Sequence, residues 1–438
     1  MHRGGLTTLI SVLVPGVTGA YSSRKNNKLT THKRKDLRLL GLLLAVCFLF
    51  VFALALSASA QYVTQNLVAS NSSFHPRFVD SNLIDPWGIA IFPTSPFWVS
   101  DQNTSTSTLY NANGVLRLPG SAPFQLTVEI PCVVSGTPTV PCPLPGEGEM
   151  FFPDLFGPTG LVANSFSGDF QITQNGTSIG SALFIWDTLD GLIIGWNLQV
   201  TPLTQAVVVA NRSSSAFYTG LAIAGPPVIS APYLYGANAK AQIDVFDTNF
   251  NLVNSFPADS NPAPFEPYGI QAIGDKLYVA YSSPFFFGGI VDVCDLGSSP
   301  TAPTCTRLRK DGPSSSPTNL VLNGPWGLAL APSHFGPLSN TLLVGNVADG
   351  HINGLDPSTG AVAPGSPLTL TNGQTFAVLG LWGLQLGGGL TPVNGRANQL
   401  FFAAGPPAPG PPPGPIFSGG VFWRNQSGAT ALKTFELS

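Results

Sequence analysis

The chain has 438 residues, 44% of them apolar and 9% charged, with 48 Gly and 41 Pro; that is too apolar for disorder and suits many short strands joined by tight turns. Its formal net charge of −3 hides an asymmetry: eight of the nineteen Lys/Arg but one of the twenty-two acids lie in residues 1–60, which leaves the rest at −10. An acidic body with scattered basic residues cannot neutralise a run of phosphates, which excludes nucleic acid as a partner.

The basic residues open the chain. Arg24, Lys25, Lys28, Lys33, Arg34, Lys35 and Arg38 precede an apolar run, 39–56, and then Ser57-Ala58-Ser59-Ala60. A basic region over 1–38, an apolar stretch and small residues at an Ala-x-Ala site predict a secretory signal cleaved between residues 60 and 61. The alternative is a retained anchor, because 18 apolar residues is the lower limit for a span. With cleavage no integral membrane segment remains, and the product is secreted, periplasmic or at the cell surface. Cys47 leaves with the signal, and Cys132, Cys142, Cys294 and Cys305 remain as two local pairs. In an exported chain these predict two disulfides, each closing a Pro/Thr-rich loop; zinc would want C-x2-C spacing and His partners.

From residue 61 to 438 one short motif recurs six times: PWGIA (86–90), PTGLV (158–162), YTGLA (218–222), PYGIQ (267–271), PWGLA (325–329) and LWGLQ (381–385). The glycines Gly88, Gly160, Gly220, Gly269, Gly327 and Gly383 are 72, 60, 49, 58 and 56 residues apart. Self-similarity at this period among short apolar runs predicts an all-β, six-bladed β-propeller of four-stranded blades starting near 85, 157, 217, 266, 324 and 380. In blade one the strands are PWGIAIF, PFWVSD, STLYN and QLTVEI. Later blades repeat the order, with PLTL (367–370) as the fourth strand of blade five. In blade six GVFWRN (420–425) is third and ALKTFEL (431–437) fourth. The first strand, QYVTQNLVA (61–69), is expected to pair with the C-terminal run and close the ring. Asp190-Gly191 and Asp349-Gly350 suit hairpins between second and third strands, and Asn113-Gly114 suits a turn before a fourth. The Pro-rich run 405–415 is a polyproline-like loop or a partner's ligand.

The segment 80–90 (DSNLIDPWGIA), with PFWVSD (96–101), STLYN (107–111), DGHINGLDP (349–357) and GLWGL (380–384), resembles an uncharacterised family of exported bacterial propeller proteins, over about 61–425. More loosely, the repeats look like NHL-type six-bladed propellers. The resemblance implies export and fold and brings no chemistry. Some members end in a Pro-Glu-Pro sorting tail; the last residues here, LKTFELS, do not match one.

Function is sought where the first strands enter the channel. Three residues before each glycine stand Asp85, Gly157, Phe217, Glu266, Gly324 and Gly380. Asp85 and Glu266 fall in blades one and four, which oppose each other in a six-fold ring; Asn323 and Asp154 are near by. Such oxygen donors suit Ca²⁺, and the alternative is that the carboxylates serve turn N–H groups. A second set, Asp101, Asp187, Asn238 and Asn346, ends the second strands, with Tyr281 and Ala404 in the other blades; it forms a binding face or bonds to turn backbone. Trp87, Tyr268, Trp326 and Trp382 precede four glycines and either pack between adjacent blades or stack on a ligand. His75, His334 and His351 share no ligand spacing, although His351 beside Asp349 allows acid–base work. No nucleophile elbow, zinc-protease motif or phosphate loop is present. These residues point to an exported binding or scaffold module, expected to be a monomer, with a protein or carbohydrate partner. The rival is a Ca²⁺-dependent, lactonase-like hydrolase. Sequons lie at Asn71, Asn103, Asn175, Asn211 and Asn425.

Overall fold

A computed structural model describes residues 62–115, 126–142, 156–257, 262–283, 285–297, 299–378 and 380–405, and the backbone of 431–437. The signal region, Asp154, GVFWRN and the Pro-rich run beyond Gly405 lie outside the described residues.

Among the described residues six sheets of three to five strands alternate with turns along the chain, with two two-stranded hairpins besides. Blade one holds Pro86–Ala90, Phe97–Asp101, Thr106–Tyr110 and Thr127–Glu129. Blade two holds Pro158–Ala163, Phe184–Thr188, Leu192–Trp196 and Val207–Asn211. Blade three runs Tyr218–Ala224, Tyr233–Asn238, Gln242–Phe246 and Leu252–Phe256, and blade four Glu266–Ile273, Lys276–Ser282, Phe287–Asp295 and Thr304–Ser314. Every described neighbour within these sheets is antiparallel, as tight hairpins require. The Asp-Gly turns are where the spacing puts them, with Gly191 at φ 83° and Gly350 at φ 73°.

The repeat glycines close the ring. A methyl group built on Gly88 would fall less than 3.0 Å from blade two's inner strand at Thr159, and one on Gly160 would meet Leu221 of blade three. The same holds for Gly220 on Tyr268, Gly269 on Trp326, Gly327 on Trp382 and Gly383 back on Trp87. Each glycine thus lets the next inner strand approach at backbone distance, and six steps return to the start. The six-bladed all-β reading holds.

Two assignments need correction. Blade five has three strands, Pro325–Leu330, Leu342–Asn346 and Ile352–Leu355, and PLTL is not its fourth. PLTL still lies along that edge, as part of a loop and not as a strand. Ala363 N–H donates to Gly354 O, and Leu368 N–H to Ile352 O, both at 2.9 Å, while Leu370 forms a parallel bridge with Tyr62. In blade six, Leu381–Leu386 and Leu400–Ala404 are followed by Ala431–Leu437 as the third strand, so the place given to GVFWRN is taken. The N-terminal strand Tyr62–Ala69 pairs antiparallel with 431–437 as the fourth, which joins the ends of the ring, and Phe78–Val79 adds a short parallel edge.

The core lies between blades. Trp98 of blade one packs on Phe184 (4.4 Å between ring centroids) and Trp196 (4.8 Å) of blade two, all essentially inaccessible. Disulfides join Cys132 to Cys142 and Cys294 to Cys305, the second between paired residues of the outer strands of blade four. The insertion 165–181 folds as a hairpin, Gln171–Gln174 with Thr177–Ser181. Among the described residues no helix is long and apolar enough to cross a membrane.

Candidate site at the mouth of the central channel

The inner strands bring Trp87, Tyr268, Trp326 and Trp382 together on the axis. Trp87 stacks on Trp382 at 3.7 Å and 13°, and Trp326 meets both edge-on at 6.1 Å. Tyr268 lies 6.0 Å from Trp87 across the ring and 5.7 Å from Trp382. All four are at most 8% exposed. The expected packing between adjacent blades is therefore incomplete as a description: these side chains converge across the axis and plug it. Edge-to-face contacts add to the burial of so much ring surface. In blades two and three the same position holds Thr159 and Thr219. Trp326 spans towards them, its indole N–H donating to Thr219 O at 2.8 Å.

Above the plug stand the residues three before each glycine. Asp85, Gly157, Gly324 and Gly380 have φ of 53°, 97°, 67° and 70°. The chain enters four inner strands through a left-handed turn, which glycine adopts freely and Asp tolerates better than most side chains. Composition at this position thus follows backbone geometry as well as chemistry, a reading that residue identity alone did not suggest. Phe217 and Glu266 lack this turn, and Glu266 already begins its strand.

Asp85 is half-buried and Glu266 exposed. Burial, then the negative charges of Asp85 and Glu266, hold the Tyr268 hydroxyl well above the usual phenol range. The two carboxylates from facing blades thus act on one buried hydroxyl. Surrounding protein also pushes Glu266 up. A side chain at Gly405 would strike both Asp85 Oδ1 and Trp382 Nε1, so both atoms face the end of the second strand of blade six. Trp382 Nε1 is buried and has no acceptor among the described residues. Asn323, 1% exposed, accepts from Gly288 N–H at 3.4 Å through Oδ1, and its Nδ2 has no acceptor among them.

The second set does not form an open face. Asp101, Asp187, Asn238 and Asn346 are all inaccessible to solvent. Asp187 Oδ1 accepts from the Thr159 hydroxyl at 2.8 Å and from Gly160 N–H at 2.6 Å, and burial pushes its carboxyl up to about 7. Asn238 Oδ1 accepts from Phe217 and Lys240 N–H, and Asn346 Nδ2 donates to Val321 O. Asp101 is raised well above the carboxylate range by burial, with the charge of Asp80 adding to it. These residues fasten strand ends because second strands finish beside inner-strand starts, as Pro86 paired with Asp101 and Pro325 with Asn346 illustrate. Among the described residues no group of three or more His, Cys, Asp or Glu is arranged to hold a metal. His351 Nδ1 lies 3.6 Å from Asp349 Oδ1 on its hairpin. On the mouth side, Phe217, Phe285 and Phe286 are exposed, with Lys240 Nζ 4.9 Å above the Phe217 ring.

No family model matches the chain. Three uncharacterised proteins of Acanthamoeba polyphaga mimivirus are similar to it. One is 29% identical over 357 residues, 77% of this chain and 76% of the relative. Another is 28% identical over 351 residues, 77% and 81% of the two chains. The third is 32% identical over 208 residues, 45% of this chain and 37% of the relative's length. These relatives are viral, not the bacterial proteins expected from the motifs. Among solved structures, Kuenenia stuttgartiensis hydrazine synthase gives a TM-score of 0.41 at 13% identity, over 76% of each chain. The PQQ-bound aldose sugar dehydrogenase from Streptomyces coelicolor gives 0.41 at 12%, over 86% of this chain and 99% of that one. The Neurospora crassa Pan2 WD40 domain gives 0.39 at 12%, over 86% and 96%. The assignment as a β-propeller stands on the closed cycle of inner strands itself.

Proposed function

We propose that the protein is an exported binding module that seats a polyhydroxylated ligand, a carbohydrate, on the mouth of its central channel. Export is supported by the basic, apolar and Ala-x-Ala order of residues 1–60 and by two disulfides, which persist in oxidising compartments. One observation carries the site: the buried indole N–H of Trp382 has no acceptor among the described residues and faces Gly405 together with the Asp85 carboxylate, with Glu266 on the facing blade. A buried donor left unmade costs free energy that a ligand hydroxyl would recover, while the carboxylates accept from neighbouring hydroxyls. Exposed Phe217, Phe285 and Phe286 on the same side offer apolar faces to sugar rings.

The same two carboxylates support a second reading, a Ca²⁺ held by Asp85 and Glu266 with Asn323 and Asp154 in a lactonase-like hydrolase. Against it, the Asn323 oxygen already accepts from Gly288 N–H. Three tryptophans in the plug make intrinsic fluorescence the readout. Neutral, acidic and amino oligosaccharides, and Ca²⁺ with chelator controls, are titrated into wild type and an Asp85→Asn/Glu266→Gln double variant. Saturable change with an oligosaccharide, lost in the double variant, is expected. A response to Ca²⁺ alone, reversed by chelator, replaces the first reading with the second. Silence in every arm overturns both.

A further inference from the structure

Four described sequons differ in what the fold does with them. In Asn71-Ser72-Ser73 and Asn211-Arg212-Ser213 the asparagine is exposed and the local geometry is the same. Asn71 Oδ1 accepts from Ser73 N–H at 3.0 Å and from the Ser73 hydroxyl. Asn211 Oδ1 accepts from Ser213 N–H at 3.0 Å and from the Ser213 hydroxyl at 2.7 Å. Both turns hold the amide oxygen inward, and neither Nδ2 has a partner among the described residues. Asn175-Gly176-Thr177 forms the tip of the inserted hairpin, with Asn175 at φ 52° and Gly176 at φ 78°, and all three residues are exposed.

Asn103-Thr104-Ser105 is folded in. Ser105 is 2% exposed, and its hydroxyl donates to Ile130 O at 3.0 Å. The Ser105 carbonyl accepts from Ile130 N–H at 2.8 Å, and Asn103 N–H donates to Ile84 O at 3.3 Å. The triplet is therefore pinned between two neighbouring segments, and its hydroxyl cannot be engaged by an enzyme without opening the blade.

We infer that Asn71, Asn175 and Asn211 are acceptor sites for N-linked glycan on the folded protein, and that Asn103 is not. In the transfer, Asn Nδ2 bonds to the anomeric carbon of a glycan carried on a lipid pyrophosphate. The bond from that carbon to the pyrophosphate oxygen breaks, the lipid pyrophosphate leaves, and one amide proton passes to a base of the transferase. Access is what separates the sites: the reactive amide and the hydroxyl two residues on must both reach the enzyme, and local opening of a paired, buried segment is rare. In the cell this rests on export; on purified protein it does not.

The test uses folded, oxidised full-length protein, a purified oligosaccharyltransferase and a lipid-linked glycan donor, with occupancy read by mass at each sequon. The reduced, denatured chain and short peptides carrying each triplet serve as parallel acceptors. Glycan is expected at Asn71, Asn175 and Asn211 of the folded chain, with Asn103 modified in the denatured chain and its peptide alone. Asn→Gln at each of the three sites removes one glycan mass. Transfer to Asn103 of the folded chain overturns the inference. So does failure at Asn71, Asn175 and Asn211, whether their peptides are accepted or refused.

Discussion

The two sides of the channel solve one packing problem differently. On blades one, four, five and six, aromatic rings before the repeat glycine reach over the axis and fill it with stacked and edge-on contacts. On blades two and three the same position carries Thr159 and Thr219. Thr159 donates to Asp187, while Thr219 Oγ1 lies 3.1 Å from both Ala237 O and Pro267 O. One side is held by dispersion and burial, the other by hydrogen bonds to a buried carboxyl and to backbone carbonyls. The contrast teaches that the repeat conserves the glycine contact, while the residue before it is free to serve either strategy.

The largest expected effect breaks the aromatic side. Trp87→Ala removes one of the two rings, with Trp382, that touch all three others and should cost ~3–5 kcal/mol, measured by denaturant unfolding. A loss no greater than that of a threonine substitution would erase the distinction. On the polar side, Thr159→Val keeps the shape but takes a donor from Asp187, and should cost ~1–3 kcal/mol by the same measurement.

A pH dependence tests the polar side separately. Burial raises Asp187 from 3.8 to about 7 in the fold. The folded state therefore binds this proton more tightly than the unfolded one, and the group's contribution falls as pH rises from 3.8 to about 7. Asp187→Asn keeps an oxygen to accept from Thr159 and Gly160 and removes the charge. Thermal unfolding should show wild type losing more stability than the variant between pH 5 and pH 8. Parallel pH profiles would refute a buried, proton-holding Asp187.

Much of the architecture was legible because it is local and repeated. The Trp-Gly-Leu type motif, the Asp-Gly hairpins and the cysteine spacing each depend on a few neighbouring residues. Other features were not legible, for identifiable reasons. That 431–437 pairs directly with Leu400–Ala404 depends on a contact between segments far apart in the chain. That PLTL runs along its edge as a loop and not as a strand depends on Ser366 and Ala363 meeting Gly354. The candidate site was half legible. Asp85 and Glu266 could be placed on opposed blades by counting repeats, whereas the meeting of the Trp382 indole N–H and Asp85 at Gly405 follows from contacts between blades one and six.

By itself the sequence determined the strand-forming units, their number and the glycine at each seam, because chain stiffness, turn chemistry and the lack of a Cβ act over a few residues. Only the tertiary structure decided that four aromatic side chains meet on the axis, that Asp101 and Asp187 are sealed inside the sheets, and that one blade has three strands. Each of those outcomes turns on side chains far apart in sequence competing for the same volume, and close packing resolves that competition only once the ring is closed.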